Sequence, residues 1–217
     1  MPPILRQTHI HLGVVLLALP ATAFAPFVAP ADAGSLRLAG VLLASEAVLA
    51  STHDADAWCY PVGCPHGLGE ADSGDAEAPY RLLRTVSRDA HGRLLHQGAD
   101  IGNQRSGGVV RAAAAGLVLQ AARDRSGYGE HVVIVHRLED RSLIYTVYAH
   151  LLAGSVQVTE GETVQAGAPL GEVGCTGRAT APHLHFEIRR PEDAMLRWEL
   201  APVIEPIAFL DEHVSRR

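Results

Sequence analysis

Two histidines stand two positions apart in the segment 182–188, near the end of the 217-residue chain. If this segment is an extended strand, His183, His185 and Glu187 share one face, because successive side chains alternate between faces. The opposite face is then apolar, with Leu184, Phe186 and Ile188. A strand anchored by this apolar face could fix both imidazoles for metal binding. A half-buried edge strand with two surface histidines is the simpler alternative.

A histidine and an aspartate lie four positions apart, at His96 and Asp100. They can converge on one metal ion if the chain turns between them, and Gly98 would permit that turn. Together with His185 they offer two imidazoles and one carboxylate. Such a three-ligand set leaves a fourth position on Zn²⁺ open for water, as in catalytic rather than structural sites. The chain contains no His-Glu-x-x-His motif, which excludes the thermolysin-type arrangement.

Two other residues stand where a strand ends or a chain turns. His150 ends an alternating strand and could lie beside a metal without binding it, although a strand-end surface histidine is the alternative. Tyr128 lies between Gly127 and Gly129 and is a candidate for the wall of a substrate groove, with an ordinary turn tyrosine as the alternative.

Short strands separated by glycine turns dominate the pattern from residue 80 onward. We predict strands at 80–87, 108–115, 116–123, 131–137, 142–151, 154–158, 163–166, 169–173 and 183–189. This pattern predicts an all-β fold, a compact, mostly antiparallel sheet structure of the sandwich or barrel type. We expect residues 34–79 to form a short helical extension and an irregular, exposed lead-in. Residues 191–217 should pack back on the domain as a loop and a short helix.

The N-terminus has the features of an export signal. Arg6 precedes an apolar run at 12–19, which is followed by two Ala-x-Ala sites ending at Ala25 and Ala33. We predict that residues 1–33 are a signal peptide cleaved after one of these alanines. An uncleaved anchor, which would associate the protein with a membrane, is the alternative.

The net charge restricts the class of partner, and the cysteine positions bear on the redox compartment. A net charge of −6 argues against nucleic acid as a partner, and we expect a monomer. Cys59 and Cys64 enclose a short turn and could form a disulfide in an oxidising compartment, with two reduced cysteines as the alternative. If Cys59 and Cys64 pair, Cys175 has no other cysteine of this chain to pair with.

Taken in order, these pieces resemble the LytM/lysostaphin-type zinc metallopeptidases, which cut the peptide cross-links of peptidoglycan. The resemblance covers a domain at 80–190, and its matching segments are 96–101, 115–118, 127–136, 148–151, 161–171 and 174–187. It implies that His96, Asp100 and His185 bind one Zn²⁺ per chain. It also implies that His150 and His183 are the catalytic pair, with their individual roles left open.

The resemblance implies a secreted zinc metalloendopeptidase, periplasmic or extracellular, that acts on peptidoglycan stem peptides. Glycine bridges and D-alanyl–diaminopimelate links are both candidate bonds, and the lack of a recognisable wall-binding module favours the second. The alternative is a non-catalytic member of the same fold that binds cell wall or activates an amidase. Such a protein is expected to lack part of the metal set, whereas all five positions are present here.

Two positions depart from the family pattern. Ala181 stands where a glycine is common, and a positive φ there would cost alanine about 1 kcal/mol. Cys175 replaces a residue that is more usually polar, and we interpret it as an incidental small residue.

Overall fold

Antiparallel strands make up most of the regular secondary structure in the computed structural model, which describes residues 57–63, 79–124, 127–192 and 197–214. The strands are β1 (Arg81–Arg84), β2 (Ser87–Arg88), β3 (Leu94–His96), β4 (Ala99–Gly102), β5 (Val109–Arg111), β6 (Gly116–Asp124), β7 (Gly129–Arg137), β8 (Leu143–Leu151), β9 (Thr163–Val164), β10 (Pro169–Glu172), β11 (Leu184–Arg189) and β12 (Val203–Ile204). One helix, α1 (Pro206–Val214), follows them within the described residues.

An eight-stranded sheet carries the site. Its strand order is β1-β4-β11-β8-β7-β6-β9, and β12 also pairs with β11. Two small sheets, β10-β5 and β2-β3, lie outside it, and every pairing is antiparallel. The prediction of a mostly antiparallel all-β fold is therefore confirmed. Because β11 lies between β8 and β4, a late segment of the chain is placed directly beside an early one.

The apolar face of β11 forms part of the main core. Leu184, Phe186 and Ile188 have no exposed surface, and they pack in one cluster with side chains of β4, β7 and β8. Burying a side chain of this size contributes about 2 kcal/mol relative to leaving it exposed. This anchoring holds the opposite face of β11 in a fixed position.

Segments on both sides of residues 80–190 also enter the core. Trp58 and Val62 are buried, so the expectation that this part of the lead-in is exposed is wrong. The reason is a close main-chain fit, in which the Cys59 amide donates to the Ala113 carbonyl at 2.8 Å. On the C-terminal side, α1 buries its apolar residues against the same cluster, namely Ile207, Phe209 and Leu210. This packing matches the expected short helix.

Several predicted strand boundaries differ from the structure. Residues 154–158 form no strand, because the Ser155 amide closes a turn onto the Leu152 carbonyl at 3.0 Å. The segment predicted as one strand at 80–87 is divided between β1 and β2. The short strands β3 and β4, which carry His96 and Asp100, were not predicted.

Residues 1–33 lie outside the described residues, as does most of 34–79, so the signal peptide and the helical extension stay predictions. Within the described part of the chain, none of the helical segments has the length and apolar character needed to cross a membrane.

His136 ends a buried chain of hydrogen bonds that ties β7 to β8. Its Nδ1 donates to the Ala115 carbonyl at 2.8 Å, so in the neutral ring its Nε2 accepts from the Thr146 hydroxyl at 2.7 Å. That hydroxyl then accepts from Tyr148, 3.0 Å away, which in turn accepts from the Ala113 amide. Every proton in the chain has an acceptor only if His136 is neutral. Burial lowers the pKa of His136 to about 4.

We expect acid to destabilise the fold through His136. The unfolded-state pKa is about 6.5, so the unfolded chain takes up the proton first as the pH falls. The stabilising contribution of the neutral ring is complete above about pH 6.5 and is lost, on the order of 3 kcal/mol, between there and about pH 4. Urea unfolding at pH 7 and pH 4.5 should show a smaller decrease for His136→Gln than for the parent protein. The exposed His91→Gln is the control, and an equal decrease in all three proteins would contradict the prediction.

Candidate metal centre and active site

Asp100 and His185 face each other across two neighbouring strands. They are direct partners in the antiparallel register of β4 and β11, so their side chains emerge side by side on one face of the sheet. The Asp100 Oδ1 atom lies 2.7 Å from His185 Nδ1 and 3.0 Å from His96 Nε2. One ligand atom from each of the three residues lies within 4.8 Å of the others. The structure thus brings together the three predicted metal ligands.

Gly98 allows this close approach for a reason other than the one expected. Its φ is not in the left-handed region, so the turn between His96 and Asp100 does not depend on glycine. A Cβ at this position would instead lie 2.4 Å from the Phe186 carbonyl oxygen on β11. The missing side chain therefore lets the chain before β4 lie against β11.

The donor set fits Zn²⁺. Because a carbonyl can only accept, the bond from His96 Nδ1 to the Thr85 carbonyl, 2.8 Å, leaves Nε2 as the nitrogen that can bind a metal. His185 contacts the Glu187 carboxylate through Nε2 at 3.0 Å, which leaves Nδ1 for the metal. Two imidazoles oriented in this way, with one carboxylate, match the donor set of three-ligand zinc sites that keep an open position.

Charges around the three ligands favour a cation between them. Burial raises the pKa of Asp100, but hydrogen bonds from His183 and His185 outweigh burial and hold it well below its usual range. Burial likewise lowers the pKa of His185, but its bonds to Asp100 and Glu187 outweigh this and raise it to about 9. Both carboxylates therefore stabilise positive charge at His185.

His150 reaches the site because its backbone breaks the strand alternation. Ala149 is the register partner of His185, and Tyr148 is that of Phe186. In a regular strand His150 would therefore point with Tyr148 into the core. Its φ of +64° turns it to the other face, where its ring centroid lies 5.6 Å from that of His185. A non-glycine residue in this region is strained by about 1–3 kcal/mol.

Neighbouring main-chain groups hold His150 in this conformation. Its amide donates to the Tyr128 carbonyl at 2.8 Å, and its Nδ1 donates to the Thr176 carbonyl at 2.8 Å. The second bond leaves Nε2 as the nitrogen that can accept a proton. Burial, with the nearby charges of His185 and His183, lowers the pKa of His150 to about 4.

His183 lies next to His150, with 4.9 Å between their ring centroids. Its Nδ1 donates to the Ala181 carbonyl at 2.8 Å, and its Nε2 lies 3.5 Å from Asp100 Oδ1. Burial lowers the pKa of His183, but the contact with Asp100 outweighs it and the net pKa is raised. Ala181 does not have a positive φ, so the strain considered for alanine at this position does not arise.

Thr176 fixes the loop that holds His150. Its hydroxyl donates to the Leu151 carbonyl at 2.7 Å and accepts from the Glu130 amide at 2.9 Å. The loop from 174 to 177 is thereby fastened to β7 and β8, and the Thr176 carbonyl is aimed at His150. Nothing in the amino-acid pattern indicates this role, because the contacts join segments that are distant in sequence.

We expect Thr176→Val to lower turnover without removing metal. Valine has nearly the same shape but cannot make either hydroxyl bond, so the loop loses its anchor and His150 its fixed acceptor. A misplaced catalytic group costs about 10- to 100-fold in rate. Steady-state kinetics should show a lower kcat with an unchanged zinc content, and Thr176→Ser, which keeps the hydroxyl, should restore most of the rate. Equal rates for the valine and serine variants would contradict this role.

The remaining predicted site residues lie at the edge of the cluster or beyond it. The Tyr128 hydroxyl donates to Glu187 at 2.9 Å, behind His185, so contact with substrate stays a prediction. Cys64 lies outside the described residues, so the disulfide with Cys59 also stays a prediction. Cys175 is exposed. Sequence reasoning missed Arg189, although it continues the alternating face of 183, 185 and 187.

Known proteins share this domain. The model of peptidase family M23 matches residues 94–196. The DD-carboxypeptidase/endopeptidase Mpg of Neisseria meningitidis is 42% identical over 99 residues, which are 46% of this chain and 21% of that protein. The murein hydrolase activator EnvC of Escherichia coli is 37% identical over 131 residues, 59% of this chain and 29% of that protein. The chain thus spans less than a third of the length of these relatives.

Solved structures agree on the fold. Lysostaphin from Staphylococcus simulans superposes with a TM-score of 0.50 at 24% identity, covering 64% of this chain and 52% of that chain. By the family model, residues 94–196 of this chain form a domain of the peptidase family M23 type.

Proposed function

We propose that this protein is an exported zinc metalloendopeptidase that hydrolyses peptide cross-links of peptidoglycan. The observation that supports it most is the convergence of five side chains. Three of them form a zinc-type donor set, and the rings of His150 and His183 lie beside that set with their Nδ1 atoms already bonded to main-chain carbonyls.

A zinc ion held by His96, Asp100 and His185 would lower the pKa of a water molecule toward ~7 and so supply a nucleophile for a peptide carbonyl near neutral pH. The chain itself supplies the proton transfers. With Nδ1 occupied, the Nε2 atoms of His150 and His183 are the positions at which a proton can be accepted or donated. One ring would take the proton of the attacking water and pass it to the leaving amine as the C–N bond breaks, and the other ring would stabilise the developing oxyanion.

The bond we propose as the substrate is the D-alanyl–diaminopimelate cross-link. Mpg of Neisseria meningitidis is, by its name, a DD-carboxypeptidase/endopeptidase, and this name supports the choice of that bond over a glycine bridge. Export to the periplasm or cell exterior is part of the proposal, because peptidoglycan lies outside the cytoplasm.

Digestion of purified peptidoglycan tests this function. The full chain loaded with zinc should release muropeptides whose masses identify D-alanyl–diaminopimelate cleavage, and a chelator should stop the release. Products cut at glycine bridges would change the bond assignment.

Activation of an amidase is the second candidate function, because EnvC, by its name, is a murein hydrolase activator. A protein that binds zinc, cuts no murein peptide and stimulates a purified amidase would replace the endopeptidase proposal with this one. The complete set of five site residues favours the enzyme.

A further inference from the structure

A buried polar cluster lies behind His185, on the side away from Asp100. It consists of Gln97, Tyr128, Glu187 and Arg189, and we call it the Arg189 network. The side chain of Glu187 is fully buried and that of Arg189 is 5% exposed. Buried charges are costly unless they are paired and hydrogen-bonded, so the network needs nearly complete pairing.

Arg189 uses all five of its N–H groups. Its Nε donates to Glu187 Oε2 at 2.5 Å, and its Nη2 donates to the side-chain oxygens of Gln97 and Tyr128. Its Nη1 donates to the main-chain carbonyls of Glu199 and Ala201, each at 3.1 Å. A guanidinium with every donor engaged is fixed in orientation. It joins the segment after His96, the loop before β7 and the C-terminal segment to β11.

Glu187 is held as an acceptor on both oxygens. Oε2 faces Arg189, which can only donate. Oε1 accepts from the Tyr128 hydroxyl at 2.9 Å and from His185 Nε2 at 3.0 Å. Because the ionised Glu187 carboxylate can only accept, His185 must carry a hydrogen on Nε2, the nitrogen that contacts Oε1.

This arrangement distinguishes His185 from the other site histidines. The Nδ1 atoms of His96, His150 and His183 donate to main-chain carbonyls. These carbonyls remain whatever side chain replaces that of the accepting residue. The orientation of His185 depends on a side chain instead. Its tautomer, and so the nitrogen it offers to metal, can be changed by a single substitution.

We propose that Glu187, oriented by Arg189, is the positioning residue that fixes the Nε2–H tautomer of His185 and thereby sets the affinity of the site for zinc. The inference rests on the zinc site in the proposed function. It also gives a role to the Glu199 and Ala201 carbonyls, which lie beyond residues 94–196 and hold Arg189 in place.

Glu187→Gln is the most informative variant, because the amide has one acceptor and one donor end. Arg189 Nε needs the oxygen, so the NH₂ group is directed at His185 and Tyr128. His185 Nε2 must then accept, and its hydrogen moves to Nδ1, the nitrogen that faces Asp100. The variant is nearly isosteric but inverts the preferred tautomer.

Competition with a chromophoric chelator measures the zinc Kd of the full-length parent, Glu187→Gln and a control. We expect Glu187→Gln to lose about 10- to 100-fold in affinity, the usual effect of removing a partner of a metal-bound histidine. Glu160→Gln is the matched control, because Glu160 is exposed and lies outside both the site and the Arg189 network. Affinity of Glu187→Gln within about twofold of the parent would overturn the proposal.

A second measurement needs no variant and decides the question if Glu187→Gln does not fold. In ¹⁵N–¹H spectra of the zinc-loaded parent, His185 should show its proton on Nε2, and a proton on Nδ1 would overturn the proposal. Neither measurement uses peptidoglycan. A parent that binds zinc but cuts no murein would contradict the proposed function alone, whereas unchanged affinity in Glu187→Gln would contradict this inference alone.

Discussion

Replacing His185 by alanine is expected to remove zinc binding and, with it, all peptidoglycan hydrolysis. In the proposed zinc site His185 supplies one of two imidazole ligands, and its Nδ1 lies only 2.7 Å from the Asp100 carboxylate. Losing a direct ligand should lower zinc affinity by more than the roughly 10- to 100-fold that follows loss of an outer partner. Metal analysis after gel filtration should find about one zinc in the parent and almost none in the variant.

The fold should survive this change. The apolar side of β11 stays in the core through Leu184, Phe186 and Ile188, and alanine fits a strand position. Circular dichroism therefore serves as the folding control, and His91→Ala as the control for a histidine outside the site. A folded His185→Ala protein that retains one tightly bound zinc would contradict the ligand assignment.

Replacing His150 by alanine should have the opposite signature, with zinc retained and turnover lost. The ring lies next to His183 and is not one of the three side chains proposed to bind the metal. Loss of a group that transfers protons costs about 10²- to 10⁴-fold in rate. Single-turnover digestion of muropeptide dimers, with metal content measured on the same samples, tests both parts. A parental rate in His150→Ala would show that this ring is not part of the catalytic machinery.

The backbone at residue 150 provides a second test. Its φ of +64° favours glycine over any side chain, so His150→Gly should be more stable than His150→Ala, by about 1 kcal/mol. Both variants should be inactive. Equal thermal stability of the two proteins would mean that the strain at this position is relieved when the imidazole is removed.

The amino-acid pattern predicts which residues make up this site better than it predicts how they are arranged in space. The two faces of β11 follow from alternation alone, because a strand has a fixed side-chain period. His150 does not follow from it, since the φ of a single residue reverses its direction. The pairing of Asp100 with His185 is a register between strands 85 positions apart, and no local pattern determines such a register.

The missed elements have a common physical cause. Strands β3 and β4 contain three and four residues, too few to show a period. Their stability comes from the neighbours they pair with. For the same reason the local pattern predicts a turn at Gly98. The structure instead shows that glycine is needed there because the main chain lies against β11, which is distant in sequence.

The bonds from Arg189 to the carbonyls of Glu199 and Ala201 affect how this module could be transplanted. A chimeric protein that contains only residues 80–190 would leave two buried guanidinium hydrogens without acceptors, at a cost of about 1–3 kcal/mol each. The same cut would remove Trp58 on one side and α1 on the other from the core. A graft that begins before residue 57 and ends after α1 would keep Trp58, α1 and both carbonyl acceptors of Arg189 in the new host protein.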